Sequence, residues 1–163
     1  MILDAKCQFG RQIYCDFFFI VYSNKTINWA ESGYLKMLSL GMITIVVDDY
    51  GEAISHYVND LGFGLVEDTL LTPEKRWVVV SPGTQGAQLL LAKASGDIQT
   101  AAIGNSTGGR VAFFLYTDNF SLTYESYLSK GIEFTELPRS EAFGQVVVFK
   151  DKYGNKWDLI ERK

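Results

Sequence analysis

The sequence predicts an α+β fold made of one strand–helix–strand–strand–strand unit written twice. Two observations carry this. An alternating apolar segment from Met42 meets an acidic turn that opens a helical segment closed by Gly62, and the same order recurs from Ala112 to Gly131. The spacing also repeats: Met42 to Ala112 is 70 residues, and so is Gln88 to Asp158. A repeated supersecondary unit fixes architecture before any local assignment, and paired units bring equivalent positions together around a site.

In the first unit, Ile43, Ile45 and Val47 alternate with Met42, Thr44 and Val46, the period of a strand. Asp48 and Asp49 can cap the next helix, whose Ala53, Ile54, Tyr57, Val58 and Leu61 lie at helical spacing before Gly62. Strands then read from Gly64 to Asp68, Lys75 to Ser81 and Ala87 to Ala92, separated by Pro- and Gly-bearing turns. Residues 93–109, rich in Ala, Gly, Ser and Thr, read as the connection. The second unit follows: strand Val111 to Thr117, a helix from about Phe120 to Lys130, and strands Glu133 to Glu136, Gln145 to Lys150 and Lys156 to Glu161. The turn Asp151 to Asn155 holds Gly and Asn where positive φ is expected.

Composition bounds the function. Hydrophobic residues are 47% and charged residues 21%, which suits a folded globular chain. A net charge of -4 leaves no basic footprint, so nucleic acid is not an expected partner. The apolar run Ile13–Tyr22 is too short to cross a bilayer and carries Asp16, so no membrane association is expected. The two cysteines, Cys7 and Cys15, lie outside the repeat and form no disulfide framework, which points to a reducing cytoplasm. Residues 1–36 match neither repeat and form an N-terminal extension of unknown role. It is read either as the product of an early start, with Met37 or Met42 as the true one, or as an added element covering an edge or a partner. The repeat domain spans 37–163, with modules at about 38–95 and 108–163.

The segments Val46–Phe63 and Val148–Glu161, supported by Lys130–Phe134, resemble the vicinal oxygen chelate superfamily of glyoxalases, bleomycin-resistance proteins and extradiol dioxygenases. The resemblance covers about residues 38–163. It implies two βαβββ modules forming a curved mixed sheet with a central cleft and helices on the convex side. One scaffold hosts many activities, so fold alone does not name the reaction. In metal-dependent members, the ligand places correspond here to Met42, Gln88, Ala112 and Asp158. A thioether and a methyl group are unsuited to a hard divalent ion, and a shift of register to Val111 or Phe113 does no better. No cofactor is therefore expected, with a divalent metal disfavoured.

His56 is the only histidine and reads as a packing residue beside Tyr57. The resemblance turns Phe113 and Leu115 toward the helix, leaving Phe114 and Tyr116 on the concave side with Thr44 and Val46 as first-module counterparts. Trp77, Phe143 and Trp157 could extend that wall, although each taken singly reads as structural. Gln88 and Asp158 would orient a ligand with Tyr116, whereas Arg76 and Arg139 read mainly as solvated charge. The expected ligand-binding set is thus Thr44, Val46, Trp77, Gln88, Phe114, Tyr116, Phe143 and Asp158. The leading expectation is binding of a small, partly aromatic organic molecule without metal, as in drug-binding resistance proteins. Small modules have little core of their own, so pairing within the chain or across a homodimer is expected. One alternative is a metal-dependent lyase or dioxygenase drawing on Glu67, Glu136, Glu141 or His56. Another is an interaction protein with a vestigial cleft, whose aromatic N-terminal segment docks a partner.

Overall fold

The computed structural model describes residues 39–163, so the N-terminal extension lies outside the described residues. Both modules take the expected order. The first comprises β1 (Met42–Val47), α1 (Tyr50–Ile54), β2 (Gly64–Thr72), β3 (Lys75–Ser81) and β4 (Gln88–Lys93). The second comprises β5 (Val111–Tyr116), α3 (Phe120–Ser129), β6 (Glu133–Phe134), β7 (Arg139–Glu141), β8 (Gly144–Lys150) and β9 (Lys156–Arg162). A short α2 (Asp97–Ala101) sits in the connection, where the sequence suggested only irregular chain.

Local chemistry sets the boundaries. Asp49 Oδ1 accepts from the backbone N–H of Gly51 and Glu52 at 2.8 and 3.2 Å, capping α1. Those donors hold its carboxyl below the usual aspartate range. Asn119 repeats the device on Leu122 N–H at 3.0 Å. Gly62 and Gly131, both at φ 75°, let the chain reverse after each helical segment. The first helix does not run α-helical to Leu61. From Ser55 to Asp60 it widens into a π-helix, and the neighbours His56 and Tyr57 both become buried. In the second module, the counterpart of the long β2 is broken into β6 and β7 around Leu137 and Pro138, because proline lacks a ladder N–H.

The strands form two sheets, ordered β1-β4-β3-β2 and β5-β9-β8-β6, with β7 also pairing β8. In each, the first and last strands of the module are parallel and the rest antiparallel. One hydrophobic core unites the modules. It takes Ile45, Val47, Val78, Val80, Leu89 and Leu91 from the first sheet and Val147, Phe149, Trp157 and Leu159 from the second. Trp157 is structural: its ring stacks on Phe113 with centroids 4.3 Å apart.

Polar bonds lock this junction. Asp151, buried in the β8–β9 turn, accepts from Tyr57 Oη at 2.7 Å, Trp157 Nε1 at 3.1 Å and Asn155 Nδ2 at 2.9 Å. It also accepts from the backbone N–H of Tyr153 and Asn155. His56 Nε2 accepts from Lys152 N–H at 3.0 Å, which fixes the proton on Nδ1, where Asp60 accepts it at 2.9 Å. From α3, Tyr127 Oη donates to the Leu61 carbonyl. Lys130 Nζ donates to the carbonyls of Asn59 and Asp60, the favourable place for a cation at a helix C-terminus. Because the helix-side faces of both sheets pack into this one core, their opposite faces look outward from it. That outward geometry governs the site.

Candidate functional site

Strand register sorts the outward residues. In the second sheet Phe114 is opposite Asp158, and Asp158 is opposite Val148, so the carboxylate stands between two apolar neighbours on one face. Tyr116 and Ile160 follow along the same face. A depression of about 640 Å³ lies there, lined by Val111, Phe114, Thr135, Glu136, Val148 and Asp158, with Arg110 and Lys156 also bordering it. Phe114 keeps 59% of its surface exposed.

Asp158 is the polar centre of this wall. Its Oδ1 is buried and has no hydrogen-bond partner among the described residues. Its neighbours in the register are hydrocarbon, and they have nothing to donate. Burial pushes the carboxyl above the usual aspartate range, with the charge of Arg139 opposing the shift. Arg139 itself is paired with Glu136 and, at 3.1 Å, with Glu141. An unpartnered buried polar atom costs roughly 1–3 kcal/mol, which makes it a place for an incoming group.

The other expected residues distribute unevenly. Tyr116 lies in a separate depression of about 420 Å³ with Asp118, Glu161 and Arg162, and the Arg162 guanidinium sits 4.0 Å from its ring centroid. Phe143 occupies the β7–β8 turn, 54% exposed, and does not line either of these depressions. Thr44, Val46, Gln88 and Trp77 belong to the first sheet. There Met42 is opposite Gln88, Thr44 opposite Leu90, and Val79 also opposite Leu90, which puts Trp77 on this face two residues along β3. Trp77, Leu90 and Ala92 border a wide depression of about 1000 Å³ that reaches Tyr50 and Gln99. Within one chain, then, Gln88 and Asp158 line the outward faces of two different sheets.

The metal-ligand places can be tested on chemistry. Met42 offers a thioether and Ala112 nothing, while the two oxygen donors, Gln88 and Asp158, stand on separate sheets. These residues do not fit a hard divalent ion within one chain. Of the alternative donors, His56 is consumed at the module junction, Glu67 accepts from Thr69 Oγ1, and Glu136 and Glu141 hold Arg139. Arg76 is likewise paired, with Asp68. The residue that sequence reasoning passed over is Asp151. Its signal lies in the tight turn spacing that leads to Asn155 and Trp157, donors four and six residues on.

Comparison with known proteins places this geometry. The model of the Glyoxalase/Bleomycin resistance protein/Dioxygenase superfamily matches residues 39–159. The chain belongs to that superfamily. A protein from Shewanella frigidimarina (strain NCIMB 400) is 50% identical over 125 residues, 76% of this chain and 93% of its own length. The crystal structure of UcmS2 superimposes with a TM-score of 0.65 at 27% identity, covering 76% of this chain and 97% of that one. TnmS3, an antibiotic binding protein from Streptomyces sp. CB03234, shares the fold with a TM-score of 0.63 at 21% identity, covering 78% and 98%. No helix among the described residues is long and apolar enough to cross a membrane.

Proposed function

We propose that this superfamily member binds a small, partly aromatic organic molecule without a metal ion, in a cleft that a second copy of the chain completes. The observation that carries the reading is Asp158 Oδ1, buried and, among the described residues, unpartnered, between Phe114 and Val148 on a wall that Val111, Thr135, Glu136, Arg110 and Lys156 complete. Apolar walls supply affinity, and a few placed polar groups supply orientation. Gln88 and Tyr116 are the further orienting groups, with Thr44, Val46 and Trp77 as apolar or small contacts and Phe143 at the margin.

The direction of the faces supports the second copy. Each depression is walled by a single module, and Met42, Leu65, Val66, Phe114 and Tyr116 stand exposed. Apolar surface of this kind marks an interaction site. A partner's first-module face laid on this second-module face would bring Gln88 of one copy toward Asp158 of the other, and the 70-residue repeat makes the two faces equivalent.

Thermal shifts with a panel of aromatic antibiotics, alongside a light-scattering mass, test the reading. Stabilisation by at least one compound and a mass of two chains are expected, since a ligand of the native state must raise its stability. A monomer that responds to none contradicts it. The same unpartnered oxygen also favours a second reading, a divalent ion bound between Asp158 and a partner's residues. Stoichiometric metal in protein purified without chelator, with strong stabilisation by nickel, zinc or manganese, would establish that reading instead.

A further inference from the structure

We infer that the molecule held at the second-module face is a protonated aromatic amine, its ring against Phe114 and its N–H donated to Asp158 Oδ1. The inference rests on the cleft reading above and narrows it to a ligand class.

The first argument is the vacancy of the hydrogen bond. Asp158 Oδ1 needs a donor; Arg139, whose charge it feels, and Lys156, at the border of the depression, are both engaged, and Arg110 at that border makes no hydrogen bond to it. Arg139 holds Glu136 and Glu141, and Lys156 Nζ donates to the Gly109 carbonyl at 2.9 Å. A carboxylate between Phe114 and Val148 gains most from a donor that is itself charged, because such bonds are shorter and stronger than neutral ones.

The second argument comes from the neighbouring depression on the same face. There an aromatic ring, Tyr116, lies with two carboxylates, Asp118 and Glu161, and the Arg162 guanidinium covers the ring at 4.0 Å. Around Phe114 the same elements recur, an exposed ring with Glu136 and Asp158, but no guanidinium of the described residues covers it. Cations are drawn to aromatic faces, and most strongly when water is excluded. The ligand supplies the cation that Arg162 supplies next door. Arg110, at the border of the depression, is the group an anionic ligand would use instead. The volume of about 640 Å³ accommodates a fused ring system.

The test is calorimetric titration of the intact protein with three tricyclic probes: 9-aminoacridine, which is cationic, neutral anthracene-9-methanol, and anthracene-9-carboxylate. Each is repeated on Asp158→Asn and Phe114→Ala. The expected result is that 9-aminoacridine binds about tenfold or more tighter than the carboxylate. Asp158→Asn removes most of that preference, and Phe114→Ala weakens all three probes. Equal affinity for the three, a preference for the carboxylate, or a cation preference that survives Asp158→Asn overturns the inference while leaving the cleft reading in place. No binding of any probe overturns both. If Asp158→Asn does not fold, the order of the three affinities in the unaltered protein decides alone.

Discussion

Asp151 and Asp158 are seven residues apart on one hairpin, and they are opposite kinds of carboxylate. Asp151 is buried and saturated: three side chains and two backbone N–H groups donate to it, among them Tyr57 from the other module. Asp158 is half-buried, and one of its oxygens has no partner among the described residues. The first is what a fold builds to hold itself together, since a buried charge is tolerated only when fully hydrogen-bonded. The second is an arrangement no folding requirement explains. A protein that keeps it retains a local cost, and such costs concentrate where a ligand is met.

This contrast can be broken by substitution. The largest effect belongs to Asp151→Ala, which strands Tyr57 Oη, Trp157 Nε1 and Asn155 Nδ2 in the core. A loss of about 3–5 kcal/mol in urea unfolding is expected. Tyr57→Phe removes one donor, keeps the ring, and should cost about 1–2 kcal/mol. The direction of the Tyr57 pKa agrees with this role, because burial and the adjacent Asp151 push it well above the usual tyrosine range.

Asp158→Asn should move stability the other way. Its folded carboxyl is raised above its unfolded value, so it favours the protonated form. The stability this group contributes is present below the ordinary aspartate range and is lost as pH rises through the raised folded value. The variant should therefore be more stable than the parent at neutral pH, by about 1 kcal/mol or less because the group is half-exposed. The difference should vanish near pH ~3, as urea unfolding at the two pH values would show. An equal difference at both would remove the linkage. Smallest of all, Phe114→Ala should leave stability within about 0.5 kcal/mol, since its ring is 59% exposed. A large loss would make Phe114 a folding residue.

The legible part of this molecule was its repeat. Alternation from Met42 and Val111, the caps at Asp49 and Asn119, and the glycines at 62 and 131 are short-range signals, and each has its physical counterpart in the structure. Three things were not legible. The widening of the helix at Ser55 depends on His56 and Tyr57 reaching Asp151 and Lys152, about 95 residues away, which no local pattern encodes. The division of β6 from β7 followed from Pro138, a visible residue whose effect depends on its place in a sheet. The outward direction of the two faces was hidden because alternation says which residues share a face, not what that face meets. The residues gathered as one wall, from Thr44 to Asp158, are spread in a single chain over two sheets.

The most direct test of the account is the thermal shift given by saturating 9-aminoacridine in the parent protein and in Asp158→Asn. The ligand should raise the Tm of the parent clearly more than that of the variant, because mass action acts through an affinity to which Asp158 contributes about tenfold. The same Tm increase in both proteins, or none in the parent, would contradict the account.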